Sequence, residues 1–505
     1  MVNAALQPLW GRIYDKFSNK SSFLASLAIF EMGSVFCGAA VSSRMLIGGR
    51  AVAGVGSAGL ISGGLTITAS AVPLEKRAPL TAMLMGVAQL GIAIGPLLGG
   101  AFTAYTTWRW CFYVNIPIGG LLAIGLLFLP IPDQCSKPSP RSLLRRLHRE
   151  LDLLGFALIG PACIQLLLAL SWGGSKHAWD SPTIIGLFCG ASVTGLLWIA
   201  WDWYRGDEAL IPFSIIGVRA VWSGALTHCF LLTNIFCASF FLPIYFQAVQ
   251  GADPMKSGVN VLPSILSQLA VVSMTGFLGE HPSGFLIDQS VILTAMVVQQ
   301  TGYVIPYAML AAVIGSVSNG LYSTFSPTTS AAKWIGYQIL NGIGRGVGMP
   351  MVSKHHCSPF SRVVADAYCR GQAILAVQAT LSPADLAIGN SVVIFVQSLG
   401  TAITLAVSDA IFQGSLQSEL PKQAPSADVA AIVAAGATHF RSIVEEQDLP
   451  GVLAAYSKSL GRVFYLAAGV SGLGLVTSLG MGWVDVSKKG RLDDNDDIPL
   501  QNLDA

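Results

Sequence analysis

The chain has 505 residues, of which 53% are hydrophobic and only 11% are charged, and its formal net charge is +2. A soluble domain carries about 25% charged residues, so this chain has too few polar groups to cover a surface that faces water. Most of its surface must therefore face lipid, and the small net charge gives no indication of a nucleic-acid partner.

Twelve apolar segments are long enough to cross a bilayer, because a spanning helix needs about 20 consecutive apolar residues. In chain order the predicted spans are residues 21–41, 45–70, 80–104, 113–131, 153–172, 183–203, 221–247, 258–278, 298–322, 332–351, 386–412 and 462–483. Residues 1–9 are too few to cross and are interpreted as the end of a helix whose beginning is absent. If the polar loop at 11–20 is cytoplasmic, Lys and Arg favour the cytoplasmic side by two to one, as the positive-inside rule requires.

The polar motif at residues 11–16 follows this short segment directly. Gly11 permits a tight turn on the cytoplasmic side. Asp15 can pair with an arginine or cap a neighbouring helix, and a movement of one helical bundle would break and remake that contact. A solvated loop is the alternative explanation of the charges on Asp15 and Lys16.

Two ionisable residues lie inside predicted spans. Glu31 lies in the first span and can carry a proton, with an interfacial or core-paired carboxylate as the alternative. Arg50 lies in the second span, where a charge costs at least about 2.5 to 3.5 kcal/mol at the helix centre. It is therefore a candidate functional residue, and the alternative is an arginine that extends to the interface.

Residues 50–56 have a weak counterpart at 338–344, where a polar residue again precedes two glycines by four and six positions. Such internal repeats are typical of secondary transporters with two bundles. The alternative is that small residues recur in any packed membrane helix.

A further glycine motif lies in the third span. Gly91, Gly95 and Gly99 recur every four residues and predict a flat helix face for close packing. Pro96 removes a backbone hydrogen bond and predicts a kink, and Gly100 ends the motif. Packing alone and a role in gating explain the pattern equally well.

Several other classes of site are not supported. Residues 54–59 match the pattern GxGxxG, but no strand precedes them, so a nucleotide site is not expected. No nucleophile, base and orienting group recur at a recognisable spacing, so we expect neither an enzyme nor a cofactor. The nine cysteines lie mostly in apolar runs without metal-ligand spacing, and free buried thiols are expected rather than a metal site or disulfides.

Five segments together resemble the motifs of one transporter group, namely residues 4–11, 50–56, 91–100, 108–119 and 333–340. The most specific match is WRWCFYVNIPIG at 108–119. The chain resembles the fungal drug:proton antiporters with fourteen spans in the major facilitator superfamily. The resemblance implies an all-α polytopic membrane protein with two pseudo-symmetric bundles and two extra central helices, in which the first helix and most of the second are missing.

The resemblance also implies an activity and roles for residues. The activity is proton-coupled efflux of small amphiphilic organic compounds, such as a drug, a mycotoxin or another secondary metabolite. Arg50 would take part in proton coupling, with Glu31 as a second candidate. Conformational switching would involve Gly11, Asp15 and Lys16. Antiport geometry would depend on Gly91, Gly95, Pro96, Gly99 and Gly100.

The implied organisation has five parts: an incomplete N-terminal bundle at 1–131, a cytoplasmic loop at 132–152, two extra central helices at 153–203, a C-terminal bundle at 204–484 and an acidic cytoplasmic tail at 485–505. Segments 279–299 and 352–371 interrupt the family pattern as insertions. Their ends can be encoded by codons that resemble splice sites, so translated introns are a hypothesis for both.

Two alternative functions stay open. The missing first helix favours an inactive, truncated remnant of such a pump, which would transport poorly. An importer of a nutrient or siderophore would have the same fold. In either case we expect a monomer whose partners are a small molecule, protons and the lipid bilayer. Its expected location is the plasma membrane, with the vacuolar membrane as the alternative.

Overall fold

The computed structural model describes residues 2–71, 87–88, 91, 94–95, 98–103, 105–133, 137, 150–277, 305–347, 381 and 385–480. Within these residues the chain is built of helices, and an isolated bridge between Gly173 and His177 is the only β contact. Helices satisfy their backbone hydrogen bonds internally, as a chain in lipid requires.

The helices follow one another along the chain in three groups. The first group is α1 (Val2–Lys16), α2 (Asn19–Gly38), α3 (Ser43–Ala71), α4 (Trp110–Tyr113) and α5 (Asn115–Phe128). The central pair is α6 (Leu153–Trp172) and α7 (Pro182–Arg205). The last group is α8 (Phe213–Ile216), α9 (Arg219–Ile244), α10 (Pro254–Phe277), α11 (Ile305–Tyr322), α12 (Ala331–Val347), α13 (Leu386–Gln423), α14 (Val429–His439) and α15 (Leu449–Gly480). A π-helical turn, Tyr245–Val249, continues α9.

Short polar residues precede several of these helices. The Ser18 side chain accepts a hydrogen bond from the Ser21 amide at the start of α2. The Ser181 side chain accepts one from the Ile184 amide at the start of α7, and Asp152 caps α6 in the same way. Each cap satisfies a backbone N–H group that has no partner within its helix.

The prediction of an all-α polytopic membrane protein is confirmed. Eight helices in the described part of the chain are long and apolar enough to cross a bilayer. They coincide with eight of the twelve predicted spans, and α10, α11 and α12 occupy three more. The span at 80–104, the loop at 132–152 and the segment at 352–371 lie mostly or wholly outside the described residues, as do the segments at 279–299 and 485–505.

Helices α13 and α15 extend well beyond the predicted spans at 386–412 and 462–483. They contain 38 and 32 residues, which gives lengths of about 57 and 48 Å at 1.5 Å per residue. A bilayer has roughly 30 Å of hydrocarbon, so both helices project beyond it. Apolarity does not predict these polar ends, where the buried Glu419 carboxylate pairs with Lys422, Lys458 and Arg462.

Helix α1 joins distant parts of the chain, because it packs against both α3 and α13. An apolar cluster next to it combines Ala5 of α1, Ile159 of α6, Leu210 and Ile211 of the connector between α7 and α9, and Ile388 of α13. We call this meeting place the α1 junction. It comprises residues 11–12 of α1, residue 152 before α6, residues 202–211 and residues 388–391.

Candidate functional site

The first motif forms part of a helix instead of a turn. Gly11 lies inside α1, where a Cβ atom would overlap the Ser391 side chain of α13. Because glycine has no Cβ, it lets these two helices approach closely. The prediction of a tight turn at Gly11 is therefore wrong, and so is the predicted loop at 11–20, because α1 continues to Lys16.

Arg12 reaches into the α1 junction, although the sequence did not mark it as a candidate. Its side chain is 5% exposed, and its Nη2 atom donates to the carbonyl oxygens of Asp207, at 3.0 Å, and Ala209. A buried guanidinium needs such acceptors, because an unpartnered buried charge is costly. Arg12 therefore ties α1 to the connector between α7 and α9.

Asp15 and Lys16 form partly exposed ion pairs at the end of α1. The Lys16 Nζ atom lies 3.3 Å from an Asp15 oxygen and 3.4 Å from a Glu150 oxygen. Lys137 donates to the backbone carbonyl oxygens of Tyr14, at 2.9 Å, and Asp15, at 2.8 Å. Exposed ion pairs contribute roughly 0 to 1 kcal/mol each, so they can break and re-form easily. The role of both residues in switching stays a prediction.

Arg50 and Glu31 occupy different environments in the first group of helices. Arg50 is exposed on α3, and its guanidinium lies 6.0 Å from the centre of the Phe112 ring. Glu31 is partly buried on α2, where a Cβ atom at Gly119 of α5 would overlap its carboxylate. The Glu31 Oε2 atom is buried and has no hydrogen-bond partner in the described part of the chain. Proton coupling by either residue stays a prediction.

The two copies of the weak repeat share their packing but not their polar environment. A Cβ atom at Gly56 would overlap the backbone of α2, and one at Gly342 would overlap Ser267 of α10. In both copies a glycine thus lets two helices approach closely. Arg50 is exposed, whereas Gln338 at the matching position is fully buried, so the polar residues of the repeat differ in their surroundings.

Most of the third glycine motif has no described neighbour to pack against. A Cβ atom at Gly91, Gly95 or Gly99 would meet no described atom within 4 Å. Pro96 lies outside the described residues, so its predicted kink stays a prediction. Gly100 differs, because its Cβ would lie 3.2 Å from the Met255 Cα and 3.3 Å from the Pro254 carbonyl oxygen of α10.

A cleft separates this motif from α9 and α10. Its volume is about 290 Å³. The described residues that line it are small, apolar or neutral and polar, and they come from both halves of the chain. They are Gly99, Gly100, Thr103, Pro243, Gln247, Pro254, Ser257 and Gly258. The cleft can therefore accept a small molecule without a formal charge opposite it.

A buried polar cluster connects four helices in the last group. The Asn341 amide nitrogen donates to the Asn234 side-chain oxygen at 3.2 Å and to the Ser318 hydroxyl at 2.9 Å. The Asn319 amide nitrogen lies 3.5 Å from the Ser471 hydroxyl oxygen. The sequence reasoning missed this cluster, and the available signal was the recurrence of Asn and Ser within otherwise apolar spans. Such networks join helices in lipid.

The segment at 108–119 holds the end of α2. Arg109 donates to the Gly38 carbonyl oxygen at 2.6 Å, and the Tyr113 ring packs where a side chain at Gly38 would lie. The Asn115 amide nitrogen donates to the Ser34 hydroxyl at 3.3 Å. A cation favours the carbonyl end of a helix, so the most specific motif of the sequence stabilises this helix end.

The described cysteines are free, and four of the six are buried, as expected for thiols in apolar helices. Among the described residues no group of three or more His, Cys, Asp or Glu side chains is arranged to hold a metal ion.

Known proteins similar to this chain are transporters. Residues 1–368 match the model of the Major Facilitator Superfamily. The MFS-type transporter pigP of Monascus ruber is 46% identical over 486 residues, which cover 96% of this chain and 78% of that protein. The MFS-type transporter calB of Penicillium decumbens is 46% identical over 97% of this chain and 81% of its own length. The efflux pump mlcE of Penicillium citrinum is 41% identical over 100% of this chain and 85% of its own length.

Proposed function

The chain belongs to the Major Facilitator Superfamily, and from this premise we propose that it exports small amphiphilic organic compounds in exchange for protons. It is a multi-pass membrane protein, with eight described helices that can each cross a bilayer. Relatives named efflux pumps support export as the direction. The proposed location is the plasma membrane, the proposed state is a monomer, and no catalytic role is proposed.

The observation that carries this proposal is the cleft between the third motif and helices α9 and α10. Its volume of about 290 Å³ lies near the lower end of the range of ligand sites, roughly 300 to 1,000 Å³. Its described lining has no charged side chain, which favours neutral or weakly polar compounds. Because both halves of the chain line the cleft, a movement of one half against the other would change its access.

Two sets of contacts are suited to such a movement. At one set, Gly11 of α1 packs against Ser391 of α13. At the other, Gly100 packs against the backbone of Pro254 and Met255. The predicted topology assigns them to opposite sides of the membrane. If the two halves rock about the substrate, as in alternating access, one set would open while the other closes.

Arg50 and Glu31 are the proposed proton-coupling residues on the N-terminal side. An ionisable group within a span is a functional candidate because its burial is expensive. The Glu31 Oε2 atom has no hydrogen-bond partner among the described residues, so the carboxyl can take up and release a proton without first breaking a hydrogen bond at that atom.

The proposal can be tested in yeast that lack their own drug pumps. Cells that express the chain should accumulate less of a neutral fluorescent amphiphile than cells with an empty vector, and a protonophore should remove the difference. Greater accumulation in expressing cells would instead indicate an importer. Equal accumulation, with the protein present in the plasma membrane, would contradict the proposed function.

A further inference from the structure

Asp202 is a buried carboxylate on a helix that otherwise faces outward. Of the residues of α7, only Ile184 and Asp202 are buried. The Asp202 side chain is fully buried near the end of the helix, within the α1 junction. Large apolar residues on the same helix, including Leu196, Trp203 and Tyr204, are exposed. The position of Asp202 therefore has no explanation in the apolar pattern of α7.

A second carboxylate, Asp152, lies in the same junction, and both of its oxygens accept hydrogen bonds. Its oxygens accept hydrogen bonds from Trp201 Nε1 at 2.8 Å, the Leu210 amide at 2.8 Å and the Gly155 amide at 3.2 Å. Buried carboxylates need such donors, because a buried polar group without a hydrogen bond is costly. Asp152 has donors on both of its oxygens.

Asp202 contrasts with its neighbour. Neither of its carboxylate oxygens has a hydrogen-bond partner in the described part of the chain. The Ile211 amide faces this carboxylate but lies outside hydrogen-bonding geometry. An ionised carboxylate that is buried without hydrogen bonds is costly, whereas a protonated one carries no net charge.

Charged residues of α1, of α7 and at the start of α6 lie near Asp202. Arg12 enters from α1, but its Nη2 atom is occupied by the carbonyl oxygens of Asp207 and Ala209. Arg205, on the last turn of α7, pairs with Glu208 at 3.3 Å. Among the described residues, Arg12 and Asp152 face Asp202, and Asp15 and Arg205 lie near Arg12. Asp207 and Glu208 follow at the edge of the junction.

We propose that Asp202 is a proton-binding site, occupied when the α1 junction is closed and emptied when the junction opens to water. A buried carboxyl whose oxygens have no hydrogen-bond donor avoids the cost of a buried charge when it is protonated. Opening would hydrate Asp202 and release its proton, and closing would require that a proton return. This couples protonation to the contacts that tie α1 to the connector and to α13. The assignment to a transport cycle rests on the proposed function, whereas proton binding itself does not.

The first test is infrared difference spectroscopy of the purified protein across a pH titration. Wild-type protein should show a protonated-carboxyl C=O band that titrates, and the part of this band that shifts on labelling with carboxyl-¹³C aspartate, which excludes Glu31, should be lost in Asp202→Asn. The matched control is Asp180→Asn, which alters an exposed carboxylate outside the α1 junction and should keep the band. An aspartate band that keeps its full amplitude in Asp202→Asn would overturn the proposal. The proposal would also be overturned if the wild-type C=O band did not shift when the protein is labelled with carboxyl-¹³C aspartate. This measurement needs no variant to fold.

The second test separates this proposal from the proposed function. In membrane vesicles, Asp202→Asn should retain energy-independent exchange of a preloaded amphiphile but lose accumulation driven by a pH gradient, while Asp180→Asn should keep both. Gradient-driven accumulation by Asp202→Asn at the wild-type level would overturn the coupling role. If the wild type itself shows no gradient-driven accumulation, the proposed function fails, and the infrared titration still decides whether Asp202 binds a proton.

Discussion

A substitution at Gly100 should open one end of the cleft. A Cβ atom there would lie 3.2 Å from the Met255 Cα and 3.3 Å from the Pro254 carbonyl oxygen. Both neighbours are backbone atoms and cannot move aside by changing a rotamer. Gly100→Val adds two further carbons beyond Cβ, and overpacking of this kind costs about 1 to 3 kcal/mol. If that cost falls on the closed state alone, the ratio of open to closed forms rises by about 5- to 150-fold.

The assay is the reactivity of a cysteine placed in the cleft. Thr103→Cys would be introduced, and its labelling by a membrane-impermeant maleimide measured in intact cells, with the chain that lacks Thr103→Cys as background. Gly100→Val should raise the labelling rate by a factor in the same range, about 5 to 150. Gly125→Val is the matched control, because a Cβ at Gly125 of α5 meets no described atom within 4 Å. Equal rates in the two variants would refute the assignment of Gly100 to a closing contact.

Three further substitutions test other contacts. Gly11→Val should lower the free energy of unfolding of the purified protein by at least about 1 to 3 kcal/mol, because the valine side chain would overlap Ser391. The melting temperature should therefore fall, and an unchanged melting temperature would contradict the packing role. Arg50→Ala should abolish pH-dependent efflux while leaving the protein in the membrane, and normal efflux at normal expression would refute its coupling role. Arg441→Ala should also lower the melting temperature, since Arg441 donates to the carbonyl oxygens of Ala248 and Val249 at 2.9 Å and such charge-assisted bonds contribute about 1.5 to 3 kcal/mol each.

Apolarity predicted where helices lie far better than where they end. The span at 153–172 coincides with α6, because the helix begins after its cap Asp152 and ends before Gly173, where the apolar run also begins and ends. In α13 they do not change together, since Glu419 is neutralised by three cations and the helix continues. Apolarity along the chain does not predict this pairing, because the partners Lys458 and Arg462 lie about 40 positions from Glu419.

The candidate site was predicted only in part because glycine has two physical uses. The conformational freedom of glycine suggested a turn at Gly11. In the structure, the absence of a side chain at Gly11 instead lets α1 pack closely against Ser391 of α13. Arg12 and Asp202 were not predicted as site residues, because each lies near a charged segment whose composition is typical of a solvent-exposed loop. Their burial depends on the connector at 206–216, whose packing against α13 is set by contacts between residues far apart in the chain.

Accumulation in everted membrane vesicles tests the central claim most directly. Vesicles from yeast that express the chain would be given a neutral fluorescent amphiphile, with the vesicle interior made acidic relative to the medium. Proton-coupled export predicts that the compound accumulates inside only while the acid interior is maintained, and that a protonophore releases it. Equal accumulation with and without the gradient, or none when the protein is demonstrably present, would contradict it.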